Sequence, residues 1–104
     1  MTRSEVKNRI EQEIGGKWEH SNAHGVDLRI CLVHPERQRF LDCTDEDRAV
    51  DLWLVLEEDP KTRGGYKIVF DEDNGMCGLA IADQNGRAVF LGYYGDFITT
   101  LDAM

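Results

Sequence analysis

The side chains of this sequence best suited to metal binding or nucleophilic chemistry are its three histidines and three cysteines. His20-x-x-x-His24 followed by Cys31-x-x-His34 has zinc-ligand residue types, and the spacing within each pair suits coordination. Cys31 and His34 are an odd number of residues apart, so on a regular strand they face opposite ways. His20, His24 and His34 are therefore candidates without a complete ligand set, and no bound metal is expected. Cys43 beside a histidine would make a nucleophile and base, but no local signature accompanies it. Asp71-Glu72-Asp73-Asn74-Gly75 has the look of a calcium loop. It fails the EF-hand test, because glycine falls at the fifth position from Asp71 instead of the sixth and alanine at the twelfth. No glycine-rich phosphate cradle is present. No catalytic residue and no cofactor are expected, and a binding protein is favoured over an enzyme.

Carboxylates are the more telling group. Among 104 residues, 20 are acidic and 12 basic, a formal net charge of −8. Such a balance repels a phosphate backbone and argues against nucleic acid. It suits a basic protein partner, whose encounter rate an acidic field would raise. Three clusters punctuate the chain: Asp45-Glu46-Asp47, Glu57-Glu58-Asp59 and Asp71-Glu72-Asp73. In an up-and-down sheet alternate turns lie at one end, so converging clusters would form a single negative rim. Asp45, Glu46, Asp47, Glu57, Glu58 and Asp59 are the expected partner-binding residues, with Trp18 as an aromatic anchor.

The elements that must position these residues follow from periodicity. Residues 2–14 read as a helix. Val6, Ile10 and Ile14 recur every four positions, Thr2 and Glu5 have capping-box spacing, and Gly15-Gly16 ends it. Val26 to Val33 alternates like a strand, His34-Pro35-Glu36 reads as a turn, and Arg37 to Asp42 as a short returning strand. Residues 44–47 read as a charged loop. Val50 to Glu57 is a further strand, whose Trp53 and Val55 mark it as buried on both faces. Tyr66–Phe70, Met76–Ala82 and Arg87–Gly92 are joined through Asn74-Gly75 and Asn85-Gly86, which suit type I′ hairpin turns. Asp96 would cap a last helix through Met104 that buries Phe97 and Leu101.

The sum is one α+β domain over residues 1–104: a six-stranded antiparallel meander with the N-terminal and C-terminal helices packed on one face. No apolar run approaches membrane-spanning length and no secretory leader is read, so a cytoplasmic protein is expected. Three cysteines are too few and odd in number for a disulfide scaffold, which agrees with a reducing compartment.

Residues 17–35 also carry a family resemblance. Trp18-Glu19-His20, then Gly25-Val26, an alternating segment and Pro35 resemble the opening of bacterial polymorphic-toxin immunity proteins. Those are small, usually acidic cytoplasmic proteins that bind and block a toxin domain. The resemblance implies a non-enzymatic module that masks a basic toxin. The alternatives are a small-molecule-binding or enzymatic domain using His20, His24 or His34 in a pocket, and a homodimer joined through a sheet face carrying Trp53 and Val55.

Overall fold

The computed structural model describes residues 1–104, with the side chain of Glu46 excepted. Helix α1 spans Arg3–Ile14. Its start is the expected capping box: the Thr2 hydroxyl accepts the Glu5 amide at 3.2 Å, and the Glu5 carboxylate accepts the Thr2 amide at 2.8 Å. Val6, Ile10 and Ile14 are buried, as their four-residue spacing requires. Gly15 ends the helix at φ 57°, where a side chain would be strained.

The next segment departs from the expected strand. Leu28–Cys31 is a single helical turn, α2. Asp27 caps it, its Oδ1 accepting the Arg29 amide at 2.9 Å, and the Asp27 carbonyl accepts the Cys31 amide at 2.8 Å. Helical spacing buries Leu28 and Cys31 together and turns Ile30 outward. Strand β1 then runs Leu32–Asp42, straight through the expected proline turn. Leu32 pairs with Leu56 and Glu36 with Leu54, so four steps along β1 meet two on its partner. The excess residues bulge around Pro35, which has no amide proton for the ladder. The Pro35 carbonyl accepts Arg3 Nε at 2.8 Å. Two expected strands are thus replaced by a helical turn and one long strand, and the sheet has five strands instead of six.

Strand β2 (Asp45–Asp59) absorbs the expected charged loop. Strands β3 (Gly64–Asp71), β4 (Met76–Ala82) and β5 (Ala88–Gly95) complete an antiparallel meander, and α3 (Phe97–Asp102) follows, capped by Asp96. The two Asn-Gly connections differ from type I′ turns. Gly75 and Gly86 have positive φ, but Asn74 and Asn85 do not. These loops are longer than two residues. In each, an aspartate at the entry (Asp71, Asp83) accepts amides of the turn, and one left-handed glycine completes it.

The sheet is not open. β1 and β5 pair through Leu41–Val89 and Asp42–Phe90, and this pairing is parallel. That follows from topology: in an up-and-down series of five, the first and last strands point the same way. Closure divides the apolar residues into two cores. Phe40, Leu52, Leu54, Val69, Ala80 and Phe90, from all five strands, fill the barrel. Outside it, α1 and α3 cover Trp53, Val55, Ile68, Phe70, Cys77 and Leu79 on the outer face of β2 to β4. The expected single covered face is this outer layer. A register shift between Leu54 and Leu56 leaves both Val55 and Leu56 in the outer core. Beyond the shift, Glu57 pairs with Lys67, two positions from the inward Val69, so Glu57 faces the barrel interior. At Gly78 the β5 backbone approaches so closely that an added Cβ would lie 2.3 Å from the Gly92 carbonyl oxygen. Among the described residues no helix is long and apolar enough to cross a membrane.

Candidate functional site

The two acidic clusters expected to converge lie on one strand, at opposite ends of β2. At a rise of about 3.3 Å per residue, Asp47 and Glu57 are roughly 30 Å apart. They form no common rim, and their environments differ. Asp45 and Asp47 are exposed, and Asp45 Oδ1 accepts the Asp47 amide at 3.0 Å. Neither makes an ion pair among the described residues. Asp42, half-buried across the hairpin, accepts the Thr44 amide at 2.9 Å and the Thr44 hydroxyl at 2.7 Å. Those bonds hold its carboxyl below the usual aspartate range. Glu46, expected beside them, has its side chain outside the described residues.

At the other end the carboxylates are engaged internally. Glu57 is only 2% exposed. Its Oε1 accepts Arg63 Nε at 3.0 Å and lies 3.7 Å from Lys67 Nζ. Lys67, itself buried, also donates to the Arg63 carbonyl at 2.6 Å. Glu58 accepts the Tyr66 amide at 3.0 Å and meets His24 Nδ1 at 2.6 Å. The Tyr66 amide, with the His24 bond adding to it, holds the Glu58 carboxyl below its ordinary value. Asp59 accepts the Lys61 and Thr62 amides and so shapes the β2–β3 turn. Glu57 and Glu58 are thus engaged with cationic side chains of the chain itself, whereas Asp59 is exposed and, like Asp45, accepts turn amides. In the third cluster Asp71 accepts the Tyr93 hydroxyl and Glu72 accepts Arg37 and the Trp53 indole, while Asp73 is exposed.

The same pairing runs over much of the surface. Arg9 holds Glu13, Arg29 holds Glu19, Arg39 holds Asp51, Arg63 also reaches Glu36, and Arg87 holds Asp83. Most arginines are thus spent on intramolecular carboxylates, while at the β1–β2 hairpin tip, where Arg48 follows Asp47 in the chain and its charge acts on Asp42, Asp45 and Asp47 make no ion pair among the described residues.

The histidines separate. His20 Nε2 meets Asp102 Oδ1 at 2.7 Å, His24 goes to Glu58, and His34 stands exposed on β1. Among the described residues no group of three or more His, Cys, Asp and Glu is disposed to hold a metal ion. Cys31 and Cys77 are buried, and burial pushes both thiols up, away from the reactive thiolate. Cys43 is exposed and its thiol donates to the Leu91 carbonyl at 3.6 Å, with no histidine bonded to it.

A groove of about 350 Å³ between α1, α2 and the β1 bulge went unseen in the sequence. Ile10, Trp18, Leu28, Leu32 and Val55 make its floor, with Lys7, Glu11, Arg29 and His34 around it. Trp18 is half-buried there, with the Arg29 guanidinium 5.8 Å from its ring centre. The groove depends on the helical turn and on the bulge. The Asp27 cap was the available signal for the first, and the missing proline amide for the second.

Comparison with protein-family models, with curated proteins and with solved structures found no match.

Proposed function

We propose that this chain is a non-enzymatic protein-binding module of the immunity type, which masks a basic toxin domain. The observation that carries the reading is the hairpin tip, where Asp45 and Asp47 are exposed and without a cationic partner among the described residues while most other carboxylates are paired or capping. A basic surface docking there gains charge complementarity without first breaking an internal ion pair. The chain's net charge of −8 draws such a partner in from a distance. The filled barrel supports the reading too, since its interior is occupied by side chains from all five strands.

The test is a double reversal, Asp45→Lys with Asp47→Lys. Immobilised wild-type chain captures a basic protein from the source cell, and association rates are then measured for both forms across a salt series. The reversal is expected to slow association about tenfold at low ionic strength and to flatten its salt dependence. Co-expression of the captured domain with wild-type chain restores growth that the domain alone arrests. Unchanged on-rates for the reversed form would remove the hairpin tip from the account. A captured partner of acidic charge would remove the whole reading.

One observation favours a second reading. The groove has the volume of a small-molecule site, and His34 stands in its wall.

A further inference from the structure

Strand β5 runs past the seam that closes the barrel. Its pairing with β1 ends at Asp42–Phe90, because β1 turns back there through Cys43 and Thr44. The Cys43 amide donates to the Phe90 carbonyl at 3.1 Å, and the Cys43 thiol donates to the Leu91 carbonyl at 3.6 Å. Beyond those contacts β5 continues to Gly95 with β4 as its strand neighbour, and its other edge is open among the described residues. Open edges are commonly guarded by charged side chains or proline. Leu91-Gly92-Tyr93-Tyr94-Gly95 carries neither.

The same end of the barrel holds apolar side chains in water. Among the described residues, the exposed large apolar side chains of the strands are Met76 at 36%, Tyr93 at 39% and Tyr94 at 46%. Gly78 pairs with Tyr93 and Cys77 with Gly95, so Tyr94 is the extra residue of a bulge, and Met76 precedes Cys77 on the facing strand. Acid lies on both sides of this edge. Asp45 and Asp47 follow the Cys43–Thr44 turn, and Asp73 is near enough for its charge to act on the Tyr93 hydroxyl. None of the three makes an ion pair among the described residues. The cations near this end are Arg48, next to Asp47 in the chain, Lys17, whose charge acts on Asp96, and Arg9 and Arg37, which already hold Glu13 and Glu72.

We propose that the open edge of β5 takes an extended basic segment of the partner as an added strand, laid in the line that β1 vacates and packed against Tyr93 and Tyr94. This rests on the reading above and names the form in which the partner presents itself. Strand addition draws affinity from main-chain hydrogen bonds, and the side chains beside the edge choose the sequence. Lysine and arginine suit these neighbours, since their stems cover tyrosine rings while their charged heads reach Asp45, Asp47 or Asp73. A second copy of the chain does not suit them, because it would bring the same uncompensated carboxylates to the edge.

NMR of the isotope-labelled full chain, titrated to about 1 mM with the capped peptide Lys-Val-Lys-Val-Lys-Val, reads the edge directly. Amide shifts and slowed hydrogen exchange are expected at Leu91 to Gly95. N-methylating either all the lysines or all the valines blocks one edge of the peptide and keeps its charge. One of these two peptides should bind about tenfold or more weakly than the parent, and the other close to it. Tyr94→Ala should weaken the parent peptide about tenfold, with an unchanged melting temperature because the ring is exposed. No change at Leu91 to Gly95 would overturn the proposal. Two N-methylated peptides that both bind like the parent, with Asp45→Lys and Asp47→Lys together still releasing it, would overturn strand addition and leave charge docking at the tip standing. Equal binding of an uncharged Thr-Val-Thr-Val-Thr-Val peptide, unaffected by that reversal, would overturn the basic partner both here and in the reading above.

Discussion

Replacing Glu57 by leucine separates a structural carboxylate from a binding one. Glu57 lies inside the barrel mouth, 3% exposed at its side chain, between Lys67 at 8% and Arg63 at 57%. The change leaves the Lys67 ammonium buried with the Arg63 carbonyl as its remaining acceptor. Removing one member of a buried ion pair costs about 3–5 kcal/mol, because the other charge stays desolvated. Arg63 can turn into water, and its share is small for an exposed pair, so a total of about 2–4 kcal/mol is expected. In a domain of this size each kcal/mol moves the melting temperature by about 4–8 °C, so Glu57→Leu should melt about 10–25 °C below the wild type. Glu57→Leu with Lys67→Met removes both charges and should recover most of the loss. Thermal unfolding followed by circular dichroism for the two singles and the double closes the cycle. A Glu57→Leu melting temperature within about 3 °C of wild type would refute the burial argument. A double variant as unstable as the singles combined would refute the pairing.

Gly78→Ala places a Cβ 2.3 Å from the Gly92 carbonyl oxygen and 2.7 Å from the Phe90 ring, so β4 and β5 must part. A loss of about 3 kcal/mol is expected in denaturant titration, against less than about 0.5 kcal/mol for Gly16→Ala, where the space is open. The Glu58 carboxyl, lowered by the Tyr66 amide and by His24, is held ionised in the native state. Its contribution to stability is therefore present above the ordinary value of 4.5 and lost as pH falls through the lower native value. Glu58→Gln should flatten that acid limb in urea titrations between about pH 6 and pH 3, and an unchanged limb would assign it to other carboxylates.

The parts of the fold that were legible are those whose signals are local. The four-residue repeat of α1 and its capping box lie within 14 consecutive residues, and both appear as read. Asp96 caps α3 for the same reason, accepting the Thr99 amide at 2.8 Å. Val26 to Val33 misled because four residues of helix are too few to show a helical period, and the alternation around them imitates a strand. Pro35 marks a break in hydrogen bonding, and a bulge accommodates that break as well as a turn does. The acidic residues were misplaced for reasons that lie beyond any local window. A strict two-residue period puts Glu57 outside with Trp53 and Val55. The register shift at Leu56 turns it inward, and only pairing with β3 reveals the shift. Likewise, the distance between the hairpin tip and Glu57 to Asp59 follows from the unbroken length of β2, which no turn signal announces.

The parallel seam sets an order of events for the chain as it folds. Residues across it are 48 positions apart, as with Cys43 and Leu91, while each hairpin of the meander joins near neighbours. Bringing distant segments together carries an entropy cost that short hairpins largely escape. On that ground the ribbon from β2 to β5 is expected to zip up turn by turn, with the stitching of β1 to β5 coming last. Until that stitch is made, the inward side chains of both strands remain wet, and the cylinder is a curled sheet with two open borders.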